Sequence, residues 1–343
     1  MPLSKQKQDS LIPLFGAVCF FLSVIEFMIP KPLPFLRLGL ANLPLLFAAD
    51  LLSFSGYLLL VFIKIIGQAV INGTLFSYIL LFSMAGSISS ALVMFGLRKI
   101  SGKYLSFIGI SVAGSFSSNM VQVLLARFLI FGEGVWYILP PFFIIGAITG
   151  VALGSFVNSF VENSSWYQQI TDENYTFMIK TAEKEDTVSL TQIYIRIAVG
   201  FLFILLLVFV NLPAAKAIVF GAALILCLID RQKIHFISLF LISVSIIVFN
   251  LLPPFGKVLF SIFDFPVTAG ALLRGIEKVL ILEGMIYTSR WMLNCPIKLP
   301  GAIGKKVSDS LIIFKKLVLV KSEFRFKDII GSLDEILFSV ELL

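Results

Sequence analysis

Charge is scarce in this sequence. Asp, Glu, Lys and Arg make up 14% of the 343 residues, against 58% hydrophobic residues. A water-soluble fold of this length cannot hide so much apolar surface, which excludes an ordinary soluble domain. Histidine occurs once, at His235, and the three cysteines, Cys19, Cys227 and Cys295, are far apart. With no CxxC spacing and no Cys/His cluster, neither a zinc site nor a redox pair is in view. Phosphate chemistry lacks a centre too. "GAIGKK" at 301–306 has neither the spacing nor the hydroxyl residue of a GxxxxGK[ST] loop, and no DDxxD-type cluster could bind diphosphate through magnesium. No Ser–His or Cys–His pairing stands out. The residues therefore predict a protein that is not an enzyme, with no cofactor and no metal. No basic run with interleaved aromatics points to nucleic acid.

Long apolar runs are what the chain has in abundance. Mean hydropathy is +1.00 and there are 35 phenylalanines. Unbroken runs, rather than period-two alternation, predict an all-α integral membrane protein and not a barrel. Six spans are predicted near 11–30, 39–54, 57–73, 75–97, 105–132 and 135–160, which defines a domain over 1–160. The first run, "LIPLFGAVCFFLSVIEFMIP", is long enough to cross a bilayer and is followed by no small-residue cleavage site, so it reads as a retained helix. From 161 to 190 the pattern stops in a polar linker, "ENSSWYQQITDENYTFMIKTAEKEDTVSL". A second membrane region, 191–343, begins with spans near 192–211, 213–229 and 234–252. It continues through a charged stretch, 256–294, that holds Asp264, Arg274, Glu277, Lys278, Glu283 and Arg290. That is too much charge for helices bathed in lipid; surface helices or helices packed inside an assembly fit better. The end of the chain, "FKDIIGSLDEILFSVELL", is amphipathic. Its acidic polar face favours a protein surface or the chain's own helices over anionic lipid.

The net charge of +7 is uneven, because six of the 20 acids lie between Glu162 and Asp186. Lys5, Lys7, the "RKISGK" loop at 98–103 and "DRQK" at 230–233 place the N-terminus and the linker on the cytoplasmic side, with Lys31 and Arg37 against the rule.

Polar side chains inside the apolar runs are the candidate site. Lys64, Gln68 and Asn72 recur at four-residue spacing in the third span and line one helix face. Asn119 and Gln122, three residues apart, share a face in the fifth. An intramembrane lysine is costly unless paired or hydrated. A shared polar cavity would explain both stripes, with helix glue the plain alternative. The break "RLGLANLP" at 37–44, which contains Arg37 and Asn42, weakens a helix where a span should begin. Such breaks are tolerated where they line a cavity. Glu26 and Asp50 are possible counter-charges. Gly146, Gly150 and Gly154 form a small-residue ladder read as packing.

"RLGLANLPLLFA", the Lys64-centred span with "INGTLFS", and "SSNMVQVLLARFL" resemble the Gx transporter family, also labelled heptaprenyl diphosphate synthase component I. That family looks related to the substrate-binding S components of energy-coupling factor (ECF) transporters, and the resemblance covers roughly 11–160. Residues 190–343 resemble, more weakly, the membrane-embedded T component of the same class. T components present Ala-Arg-Gly-like motifs to ATPase grooves; here Arg274 with Gly275, and Arg290, are the candidates. The resemblance implies a six-helix capture bundle in the bacterial cytoplasmic membrane. It would bind a small vitamin-like or anionic molecule through Arg37, Asn42, Lys64, Gln68, Asn72, Asn119 and Gln122, and work with separate ABC-type ATPases. The second label implies the alternative of a non-catalytic membrane subunit of isoprenoid or quinone biosynthesis.

Overall fold

The structure, a computed structural model, describes residues 3–29, 36, 38–102, 104–172, 190–262, 265–294, 301–319 and 328–342. Among the described residues, five helices are long and apolar enough to cross a membrane: Lys5–Met28 (α1), Phe54–Ile71 (α3), Tyr78–Ser101 (α4), a continuous run over Phe107–Tyr137, and Leu139–Asn163 (α6). Within the fourth run, Phe107–Ala126 is α-helical (α5), Arg127–Phe131 widens to a π-turn, and Gly132–Tyr137 tightens to 3-10 geometry. Outward-facing Ile144, Ile148 and Phe128 are more than half exposed, as lipid-facing side chains should be. The chain is an all-α, multi-pass membrane protein.

The second predicted span is corrected. Residues 39–54 form a 3-10 turn, Leu40–Asn42, followed by a nine-residue helix, Leu43–Leu51 (α2). At about 1.5 Å per residue, nine residues cover roughly half a bilayer core. The helix begins inside the bundle because Gly39 adopts a left-handed φ of 83°, and Pro44 then occupies the first turn of α2, where its missing N–H costs nothing. Leu45, Leu46, Phe47, Ala48 and Ala49 are all buried, so α2 is a core helix.

The ends of these helices converge. Gln8 accepts from Ser53, Arg98 grips Asp50 with two nitrogens at 2.7 Å, and Lys7 donates to the Asp172 carbonyl. The N-terminus, the loop after α4 and the start of the linker therefore share one end of the bundle. Asp50 is thereby a partner of Arg98, away from Lys64.

The linker starts later than predicted. Ser165–Thr171 is a helix (α7) whose Trp166, Tyr167 and Ile170 pack against Phe15, Phe47 and Phe160. These three apolar residues share one helix face, which the surrounding polar residues obscure. Residues 173–189 lie outside the described residues.

In the second region, Leu190–Phe209 (α8), Pro213–Ile229 (α9) and Phe236–Leu251 (α10) surround a 24-residue helix, Ala269–Met292 (α11). Much of α11 is therefore packed inside an assembly, while residues 256–261 and Arg274 stay exposed. Side chains of α11 are met by protein: Lys216 of α9 pairs with Glu277, and Lys278 reaches the Ile130 carbonyl. The π-turn leaves such carbonyls without an ordinary helical partner. A short antiparallel hairpin, Val258–Ile262 (β1) with Phe265–Thr268 (β2), precedes α11. The two regions share a core in which Tyr78, Phe82 and Phe131 meet Ile246, Leu282 and Ile286. The Phe76 N–H donates to Ser289 Oγ at 3.0 Å across it.

Two amphipathic helices close the chain on its beginning. Gly301–Leu319 (α12) runs parallel to α1: Lys306 pairs with Asp9 at 2.8 Å, Ser310 fills the space above Gly16, and Phe314 meets Phe20 edge-on. Ile329–Leu342 (α13) buries Leu337 in the same core. Asp334, expected on its polar face, turns inward and accepts from Ser164 Oγ, Ser165 Oγ and the Ser165 N–H, at 2.5–2.9 Å. A carboxylate is at its most favourable beside such unsatisfied first-turn donors.

Replacing Asp334 by Ala leaves the buried Ser164 hydroxyl and the two Ser165 donors without this acceptor. The expected loss is about 1–3 kcal/mol in thermal unfolding of the purified protein, with Asp334→Asn intermediate.

Candidate functional site

The half-helix α2 starts beside the middle of α3, and Lys64 is what it meets. The ammonium donates to Asn42 Oδ1 and to Ser87 Oγ at 3.3 Å, and the residue is only 2% exposed. Asn42 is the N-cap residue of α2, so the positive end of that helix and the lysine charge face the same space. On the opposite wall Glu26 of α1 accepts from the Leu38 N–H at 2.8 Å, which ties the descending chain to the bundle. Sequence reasoning left Glu26 as a possible counter-charge; in the structure it lines the same cavity as Lys64.

That cavity has a volume of about 40 Å³ and is walled by α1, α2, α3, α4, α5 and α6. Asn42, Lys64, Asn119 and Gln122 all line it. Asn119 Nδ2 donates to the Phe142 carbonyl at 2.9 Å, which binds α5 to α6, and Gln122 Nε2 donates to Ser118 Oγ at 2.9 Å. Gln122 Oε1 and Ser90 Oγ are buried without a hydrogen-bond partner. Buried polar atoms in a folded protein are nearly always satisfied, so these two represent unspent hydrogen-bonding capacity in the cavity wall.

Two of the sequence candidates are placed differently. Gln68 is buried one turn along α3 and does not line the cavity. Asn72 caps the far end of α3, donates to Ser23 Oγ at 3.2 Å and lines a separate cavity with Arg290. Eight residues of helix carry it too far from Lys64. Arg37 lies outside the described residues. The serines, by contrast, went unread. Ser111, Ser115, Ser118 and Gln122 recur at spacings of four, three and four, and Ser87 with Ser90 does likewise on α4. Those spacings put each set on one helix face, a signal available in the sequence but drowned by the ordinary frequency of serine in membrane helices.

Of the two coupling candidates, Arg274 is exposed and Arg290 is partly buried. Arg290 packs under Gly73 and stacks on Phe27 and Tyr287, with centroid distances of 5.3 and 5.5 Å. Arg274 lies 4.0 Å over the Phe255 ring. Among the described residues, no group of three His, Cys, Asp or Glu is arranged to hold a metal ion.

Residues 15–160 match the family Heptaprenyl diphosphate synthase component I. All the side chains that line the Lys64 cavity lie within this component I domain. Residues 192–295, from α8 to just beyond α11, match a domain of unknown function (DUF8519). Neither match reaches α12 or α13. No curated protein and no solved structure matches the chain.

The glycine ladder of the component I domain is part of the site's construction. A Cβ on Gly146 would lie 2.2 Å from Asn119 Nδ2, and one on Gly154 would lie 2.4 Å from the Ile108 Cα. The close α5–α6 approach that these glycines allow is what brings the Asn119 amide to the Phe142 carbonyl. Gly146→Ala should therefore destabilise the protein by about 1–3 kcal/mol in thermal unfolding. Adding Asn119→Ala should recover part of that loss, because the obstructing amide is gone; strict additivity of the two changes would contradict this geometry.

Proposed function

We propose that the chain is a membrane component of an ECF-type uptake transporter whose component I domain captures a compact anionic or hydrogen-bonding molecule. One observation carries the reading: a half-helix N-terminus, a buried lysine, two amides and a set of hydroxyls converge on one space inside a membrane bundle. Broken helices whose positive ends face a central space are how membrane proteins take anionic groups without exposing backbone to lipid. Lys64 supplies a point charge, Asn119 and Gln122 supply directional hydrogen bonds, and Ser90 and Gln122 retain unused capacity. A 40 Å³ space holds a few water molecules, so a vitamin-sized ligand requires α2 or its entry segment to move outward. Glu26, through the Leu38 N–H, is the tether that such a movement would stretch. The second region would act as the scaffold toward separate ATPases. Arg290 is engaged internally and Arg274, stacked on Phe255, stays exposed, so the surface offered to the ATPases would include Arg274 but not Arg290.

The name of the matching family favours one other reading, a non-catalytic membrane subunit of a prenyl diphosphate synthase assembly. The two readings predict different companions. Affinity purification in mild detergent should recover ABC-type ATPases under the transporter reading and a prenyltransferase under the other. Native mass spectrometry of the same preparation should show a retained small molecule. Lys64→Ala and Asn119→Ala should each lose it by about tenfold or more at unchanged membrane levels. Retention by both variants would remove the Lys64 cavity as the binding site.

A further inference from the structure

A second cavity lies between the component I domain and the second region, well away from Lys64. Its volume is about 130 Å³, three times that of the first. Phe27, Thr74 and Ile79 come from the first domain; His235, Ser238, Ile242, Glu283, Ile286 and Arg290 come from the second. Glu283 is 2% exposed, and its Oε1 has no hydrogen-bond partner. A buried carboxylate needs a cation or several donors to be tolerated. Among the described residues no lysine or arginine forms an ion pair with it. Lys278, five positions before Glu283 on the same helix, reaches the Ile130 carbonyl, and Arg290 is drawn to the rings of Phe27 and Tyr287. Arg290 lies seven residues beyond Glu283, about 10 Å along the axis. The cavity therefore carries a carboxyl group deep within it and a guanidinium toward the end of α11, with apolar walls between. His235, exposed in the loop before α10, marks the opening.

We propose that this interdomain cavity is a second ligand site, for a small zwitterionic amphiphile whose ammonium end meets Glu283 and whose anionic end meets Arg290. The bipolar lining selects this class. A simple organic anion would be opposed by Glu283 and a simple organic cation by Arg290, whereas a zwitterion satisfies both and covers the apolar wall with its methylenes. Because the walls come from both domains, occupancy would also hold the domains together. The assignment does not depend on what the Lys64 cavity binds.

The probe is ε-aminocaproate, with caproate and hexylamine as its two half-ligands, titrated calorimetrically into the full-length protein in detergent. ε-Aminocaproate should bind more tightly than either half-ligand. Glu283→Gln, which keeps the shape and removes the charge, should weaken it by about tenfold or more, and Arg290→Gln should do likewise. Ser238→Trp, which fills the cavity and leaves Glu283 intact, should abolish the heat. If Glu283→Gln binds as the wild type does, if caproate binds as well as ε-aminocaproate, or if the wild type gives no heat with any probe, the proposal is overturned. Loss of binding in Lys64→Gln with retention in Glu283→Gln would place the probe in the first cavity and also overturn it.

Discussion

A lysine ammonium halfway along a membrane-length helix has to be met by oxygen, and here Asn42 and Ser87 provide it. Much of the component I domain follows from that requirement. For Asn42 to arrive at Lys64, the chain must come down into the bundle before turning helical, which demands the left-handed turn at Gly39 and the proline start of α2. A helix that begins so deep is only nine residues long, and its apolar side chains must be enclosed on all sides by α1, α4, α6 and α7. The polar cavity and the aromatic core beneath it are thus two consequences of one buried charge.

The second region meets the same constraint by different means. α11 carries acids and bases through an apolar environment, and three apolar helices and the π-turn of the first domain supply the partners. Where a partner is supplied, as for Lys278 at the Ile130 carbonyl, the two domains are joined. Where one is withheld, as at Glu283, a cavity remains. Tertiary packing and candidate binding sites therefore arise from one accounting of buried polar groups.

The helical membrane architecture could be read directly, because runs of some 20 apolar residues permit few other outcomes. So could Lys64, Asn42, Asn119 and Gln122, whose polarity stands out against those runs. The extent of α2 was hidden, since a continuous apolar run looks the same whether it crosses the bilayer or starts midway. α7 was hidden by its polar neighbours, and Asn72 was over-read because helical spacing fixes a face but not a depth. The charge of the 256–294 stretch left surface and internal packing both open and did not say what would surround α11. Nothing in the sequence connects Asp334 to Ser164 or Ser310 to Gly16, because such pairings depend on three-dimensional closure.

The pairing of α12 with α1 has a consequence for how the molecule is made. Asp9 and Lys306 are separated by 297 positions. At ribosomal speeds of about 5–20 residues per second, the first helix waits roughly 15–60 seconds in the bilayer before its neighbour exists. During that interval the notch at Gly16 has no Ser310 to fill it, and the bundle is open along one side. Closure of the α1 face therefore follows the synthesis of α12, long after α1 itself has been made.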